Sequence, residues 1–71
     1  MRIQAIYIGN SKFFQKDHLY KLILTEEFRI RGDNKIVYHL DLVEASEDEQ
    51  IKMTYFGIES LLKSWAGIQI I

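Results

Sequence analysis

Apolar and polar side chains alternate along most of this chain with the period of two that is typical of β-strands. The clearest alternation spans residues 19 to 31, where even-numbered positions are mainly apolar and odd-numbered positions mainly polar. Glu26 interrupts the apolar row, which predicts a bulge or bend nearby. Residues 35 to 44 repeat the alternation, and residues 3 to 8 and 51 to 55 predict two shorter strands. Both faces of residues 3 to 8 are apolar, so we expect that strand to be covered on two sides.

One segment near the end of the chain follows the helical period instead. Its apolar residues recur at the spacing of a single helical face: Ile58, Leu61, Leu62 and Trp65. Glycines at positions 57 and 67 bracket this segment, and residues 68 to 71 return to a period of two. We expect the helical stripe to pack into the core and to close one end of the sheet.

This order of elements predicts a mainly β fold. Five strands, a long loop after the first strand and one short helix before the last strand describe a small five-stranded antiparallel SH3-like barrel. With 71 residues the chain is expected to form one domain, residues 1 to 71. An open antiparallel sheet with the helix across one face is the alternative.

The register of the central hairpin follows from parity. Both apolar rows occupy even positions, so a register that sets the rows on one face must pair even with even and odd with odd. A three-residue loop over residues 32 to 34 meets this condition and gives Asn34 the left-handed position. In that register Glu27 faces His39, and Ile23 faces Val43, on the outer side of the hairpin.

The outer side of this hairpin is the predicted binding surface. It carries three apolar residues where water-facing polar residues are expected, flanked by residues that ionise. The predicted site consists of Ile23, Val37, Val43, Glu27, His39 and Asp41. A hydrophobic content of 48% supports an apolar contact surface in addition to a core. The surface is expected to contact a target protein or a second copy of the chain, as in a homodimer.

The net charge of −1, from nine basic and ten acidic residues, argues against a nucleic-acid-binding domain, because such domains are usually clearly basic. One segment nevertheless interleaves basic with aromatic residues, as single-strand-binding proteins do. The residues of this alternative site are Lys12, Phe13, Lys16 and Lys21. The structural interpretation of the segment is that Phe13 or Phe14 folds inward as a lid on the barrel.

The sequence predicts no enzyme, metal site or cofactor. Cysteine is absent and histidine occurs twice, which excludes a thiolate site and leaves too few histidines for a zinc site. His39 with Glu27 has the composition of a base and its orienting carboxylate, but no nucleophile or oxyanion donor accompanies the pair. No apolar stretch approaches the roughly 18 residues of a membrane span. The first five residues are too polar for a signal peptide, so a cytoplasmic location is expected.

Both ends of the chain resemble a known group of proteins. Residues 5 to 11 read AIYIGNS and residues 16 to 20 read KDHLY, while the helical segment lies between Tyr55 and Trp65. This arrangement resembles small SH3-like barrel proteins encoded by phages and prophages of Gram-positive bacteria. Asp17-His18 stands where their pattern has Gly-Lys. The resemblance implies a non-enzymatic protein in the cytoplasm of the host bacterium that binds a host protein, as some of these proteins do to block host defence systems.

Overall fold

The computed structural model describes residues 1–29, 36–43 and 52–71, which form five β-strands and one α-helix. The elements are β1 (Arg2–Tyr7), β2 (Leu19–Phe28), β3 (Ile36–Leu42), β4 (Lys52–Phe56), α1 (Ile58–Ser64) and β5 (Trp65–Ile70). The prediction of a mainly β fold, with five antiparallel strands and one short helix before the last strand, is confirmed. The predicted loop over residues 32 to 34 lies outside the described residues.

The five strands form one sheet in the order β4-β3-β2-β1-β5, with antiparallel pairing between all neighbours. This is the strand order of an SH3-like barrel, in which the first strand pairs with the last. Helix α1 connects the two edge strands, β4 and β5, and contacts both of them as well as β3. The sheet must therefore curl until its two edges approach the same short helix.

The core lies on the concave side of this curled sheet. Its buried residues come from four strands, the helix and the loop after β1: Ile3, Ala5, Tyr7, Phe14, Leu22, Leu40, Leu61 and Trp65. Tyr7, Phe14 and Tyr20 surround Trp65, with ring centroids 5.0, 5.3 and 6.0 Å from the indole. The Trp65 indole N–H donates to the Tyr55 hydroxyl at 2.9 Å, so its one polar group is satisfied inside the core.

The helical stripe is only half core. Leu61 and Trp65 are buried, whereas Ile58 and Leu62 remain about half exposed. The last strand also begins earlier than predicted, at Trp65, because the helix passes into β5 without an intervening loop. Gly67 lies at the irregularity in the β1–β5 pairing and has a φ of +60°, which glycine adopts without strain.

The predicted register of the central hairpin is correct in parity and wrong by two positions. Phe28 pairs with Ile36 rather than Tyr38, and Ile23 pairs with Asp41 rather than Val43. A shift of two positions keeps every side chain on its predicted face, so the alternation of the sequence is compatible with both registers. The pairing runs from residue 22 to residue 28 without irregularity, so the predicted bulge near Glu26 does not occur in this ladder.

The loop between β1 and β2 is held by tyrosine side chains. The Tyr7 hydroxyl accepts the Ser11 N–H at 2.7 Å, and the Tyr20 hydroxyl accepts the Gln15 N–H at 2.8 Å. Gly9 lies against the Tyr7 ring so closely that a Cβ there would be 2.4 Å from the hydroxyl oxygen. These contacts fix the loop over the core, where Phe14 is buried.

Candidate functional site on the outer face

The outer face is the side of the sheet opposite the core. Odd-numbered residues of β2 and β3 lie on it, together with even-numbered residues of β1 and β4. All six predicted site residues are on this face or, for Val43, directly after β3 in line with it. The shifted register changes which of them are neighbours.

Ile23 and Val43 lie diagonally across the β2–β3 ladder, not directly opposite each other. Ile23 faces Asp41, and Val43 is placed beside Lys21 because its N–H donates to the Lys21 carbonyl at 3.2 Å. Diagonal neighbours on one face are about 7–8 Å apart and within reach of large side chains. Ile23 is half-buried and Val43 is exposed.

Val37 does not belong to an exposed cluster. It lies on the outer face, between Glu27 of β2 and Phe56 of β4, but only 1% of its surface is exposed. It is also absent from the core cluster on the other side of the sheet. Its predicted role as a partner contact therefore does not agree with its burial, because a side chain without accessible surface offers none to a partner.

Two exposed residues that the sequence did not single out extend the apolar surface. Ile6 of β1 pairs with Leu19 of β2 on the outer face, and Leu19 is 54% exposed. Leu19 in turn lies diagonal to Val43. We name this set of outer-face residues the apolar strip: Ile6, Leu19, Ile23 and Val43. The apolar second face of β1 was the feature of the sequence that could have indicated this surface. The prediction that both faces of β1 are covered is wrong at Ile6, which is exposed.

A shallow depression adjoins the apolar strip. It has a volume of about 260 Å³ and is lined by Leu19, Tyr20, Lys21 and Leu42. The aliphatic stem of a lysine commonly covers apolar surface while its ammonium group stays in water. Lys21 lines the depression, and Asp41 faces Ile23 on β3. The two residues provide charges of opposite sign at the margin of the apolar strip.

Two polar members of the predicted site, Glu27 and His39, form a network with Arg29 and Thr54 at the other end of the outer face. His39 Nε2 lies 2.8 Å from Glu27 Oε2, and His39 Nδ1 lies 3.1 Å from Thr54 Oγ1. A carboxylate only accepts, so Nε2 carries the hydrogen that is donated to Glu27, and Nδ1 pairs with the Thr54 hydroxyl. The imidazole thus joins β2, β3 and β4. The predicted Glu27–His39 contact exists although the two residues are diagonal partners.

The same network lowers the pKa of Glu27 from its ordinary value. The hydrogen bond from His39 is the main cause, and a second hydrogen bond from Arg29 at 3.2 Å adds to it. Both interactions favour the ionised carboxylate. Because Glu27 is solvent-exposed, water screens these interactions and their energetic weight is small.

The alternative nucleic-acid site is divided by the fold. Lys12, Phe13 and Lys16 lie in the loop after β1, whereas Lys21 lies on the outer face of β2. All four side chains are exposed, and Phe13 is 73% exposed while the adjacent Phe14 is buried. The predicted lid is therefore Phe14, and Phe13 projects into solvent from a loop that hydrogen bonds hold in place.

Among residues 1–29, 36–43 and 52–71 there is no group of three or more side chains suited to hold a metal ion. In the same residues the only helix has seven residues, so none reaches the length and apolar character needed to cross a membrane.

No protein-family model matches the chain, and neither the curated proteins nor the solved structures include a significant match. The resemblance to phage-encoded barrels therefore stays a prediction.

Proposed function

We propose that this protein is a non-enzymatic protein-binding module and that the apolar strip is its contact surface. The observation that carries this proposal is the exposed pair Ile6 and Leu19, which continues into Val43 and Ile23 across three strands. One face of an antiparallel sheet normally packs on the core while the other carries polar residues. Aliphatic side chains that are contiguous on the second face are typical of interaction sites.

The charged residues around the strip support a specific interface. Lys21 lies between Leu19 and Ile23 on the outer face of β2, and Arg2 and Asp41 flank Ile23 on its two neighbouring strands. A polar and charged rim around an apolar centre is the usual anatomy of a protein interface. Such charges orient the partner and set the rate of association more than the final affinity.

The described residues give little support to catalysis. Both ring nitrogens of His39 are engaged, by Glu27 and Thr54, so the imidazole has no free nitrogen for a substrate. General acid–base catalysis requires such a group within hydrogen-bond reach of the substrate. The hydrogen bonds of His39 are better explained as contacts that stabilise the pairing of β2, β3 and β4.

The partner that we propose is a protein of a bacterial host. The proposal of a host protein as partner rests on the resemblance of both chain ends to phage and prophage proteins. Binding that inhibits a defence system of the host is one form of the proposed interaction. A cytoplasmic site of action belongs to the same proposal.

Charge substitutions on the strip test the proposal. Val43→Lys and Leu19→Lys place an ammonium group within the proposed contact while replacing side chains that are already exposed. Thr25→Lys is the matched control, because Thr25 is exposed on the same face of β2 but lies outside the strip. Tagged proteins are used to capture partners from lysate of a Gram-positive host, and each captured protein is then purified and titrated by calorimetry.

We expect a partner that binds the original chain and the Thr25→Lys variant equally, and that binds the two strip variants at least about tenfold more weakly. Circular dichroism and thermal unfolding confirm that the variants remain folded. Equal affinity for all four proteins would show that the strip is not the contact surface.

Binding to single-stranded nucleic acid is the second candidate, and the exposure of Phe13 favours it. An aromatic ring beside Lys12 and Lys16 provides a surface on which a base can stack, worth about 1–3 kcal/mol per base. Fluorescence anisotropy with labelled oligonucleotides at low and high salt measures this activity. Phe13→Ala should weaken binding by about 5- to 150-fold, whereas Phe28→Ala, which removes another exposed aromatic ring, should leave the affinity unchanged. Absence of binding at low salt would eliminate this function.

A further inference from the structure

Strand β5 has an open edge near its end. The Ile71 N–H donates to the Arg2 carbonyl at 3.0 Å, which identifies the odd-numbered residues of this segment as the ones that bond to β1. Backbone groups alternate in an antiparallel ladder, so Ile70 directs its N–H and C=O away from β1. The C=O of Ile68 is also turned away from β1, because it lies opposite the Gln69 N–H across one planar peptide unit. Among the described residues nothing pairs with these groups, and the Ile70 side chain is 74% exposed.

This edge lacks the usual protection against pairing with another chain. Natural edge strands are commonly protected by charged residues, prolines or bulges that keep other strands away. No charged or proline side chain occurs from Trp65 to Ile71, and the glycine at the pairing irregularity lies before the open part. The other edge strand, β4, begins with an exposed lysine.

We infer that the open edge of β5 pairs with β5 of a second copy of this chain. Two identical strands that pair antiparallel are related by a two-fold axis, so one edge complements itself. If Ile68 exchanges hydrogen bonds with Ile70 of the other copy, Gln69 lies on the two-fold axis and faces Gln69 of the other copy. The two sheets then join into a continuous ten-stranded sheet.

The side chain on the axis suits this arrangement. Gln69 Oε1 accepts the Gln4 side-chain amide at 2.8 Å, which leaves the Gln69 amide hydrogens to donate across the axis. Residues that face each other without exchanging backbone bonds have Cα atoms about 4.5 Å apart, so the two glutamine side chains are in contact. No charge is brought against a like charge.

The pairing surface is small, so the dimer is expected to be weak. Two outward residues per chain provide at most four backbone hydrogen bonds, and the contact lies below the roughly 1,200 Å² of standard interfaces. We expect a dissociation constant on the order of 10–100 µM. Self-association by this edge leaves the apolar strip on the outer face free for another partner.

Charge substitutions at Gln69 test the pairing and its register together. Gln69→Glu and Gln69→Lys each place two like charges across the axis, and each should weaken dimerisation about tenfold or more. The acidic variant still accepts the Gln4 amide, so the fold is preserved. An equimolar mixture of the two variants should associate at least as strongly as the original chain, because opposite charges then face each other. Val43→Lys, on the outer face, should dimerise normally.

Sedimentation equilibrium and NMR diffusion between about 10 µM and 1 mM provide the measurement. An original chain that stays monomeric over this range would overturn the inference. Dimerisation that Val43→Lys abolishes, while the Gln69 variants retain it, would overturn it also, because the contact would then lie on the strip. A mixture that fails to restore association would exclude the two-fold register through Gln69.

Discussion

Replacing Tyr55 by phenylalanine removes the hydrogen-bond acceptor of a buried tryptophan. The Trp65 side chain is 1% exposed, and its indole N–H donates to the Tyr55 hydroxyl at 2.9 Å. That hydroxyl also points to the Met53 sulfur at 3.4 Å, which is a weak contact. The substitution therefore leaves the tryptophan N–H without a partner in the core and loses little else.

The expected cost is about 2 kcal/mol, since a buried donor without a partner loses roughly 1–3 kcal/mol. For a domain of this size, 1 kcal/mol corresponds to about 4–8 °C in melting temperature, so Tm should fall by about 10 °C. Urea unfolding followed by tryptophan fluorescence measures the free energy, and a thermal melt by circular dichroism measures Tm. The fluorescence of the indole should also shift, because its local environment changes.

A double-mutant cycle isolates the hydrogen bond. In a Trp65→Phe background there is no N–H to satisfy, so Tyr55→Phe should then cost less than about 0.5 kcal/mol. Tyr38→Phe is the matched control, because the Tyr38 hydroxyl has no hydrogen-bond partner among the described residues. If Tyr55→Phe and Tyr38→Phe destabilise the protein equally, the hydrogen bond to Trp65 does not contribute as proposed.

Three further predictions concern the loop and the outer face. Gly9→Ala should lower the free energy of unfolding by about 1–3 kcal/mol in urea titrations, because its Cβ would overlap the Tyr7 ring. Phe14→Ala should cost about 3–5 kcal/mol by the same assay, because the Phe14 ring is buried. Phe13→Ala should cost less than about 0.5 kcal/mol, because the Phe13 ring is exposed. The lowered pKa of Glu27 contributes stability that is present above its ordinary value of 4.5 and is lost as the pH falls through the folded-state pKa. Thermal melts of Glu27→Gln and the original chain should therefore differ slightly at neutral pH and converge once the pH lies below the folded-state pKa of Glu27.

The alternation of residues determined the faces of the strands but not their exact pairing. Phe28, Tyr38 and Ile36 are all large and apolar, so a slide of two positions exchanges one favourable pair for another. Side-chain chemistry does not separate the registers either. Glu27 and His39 make contact as diagonal partners, and a register in which they are directly opposite would bring them together as well.

Burial was harder to predict than orientation. Val37 points outward as its odd position predicts, but it is buried all the same. Phe28 belongs to the inward row, yet it is exposed, because neither Phe28 nor its partner Ile36 packs on the core cluster. Leu19 belongs to the apolar strip because the pairing of β1 with β2 places it opposite Ile6. The sequence pattern does not specify that pairing.

The direct passage of α1 into β5 has a consequence for how the protein opens. Ser64 is the last helical residue and Trp65 is the first residue of the strand. The Trp65 N–H still donates to the Leu61 carbonyl of the helix. The helix therefore cannot unfold without releasing the tryptophan, and the strand cannot leave β1 without pulling on the helix. We expect the amide hydrogens of α1 and of the first half of β5 to exchange with solvent as one cooperative unit. One residue inserted at this junction would turn the indole to the opposite face of the strand, so this is a position where the chain should tolerate no change in length.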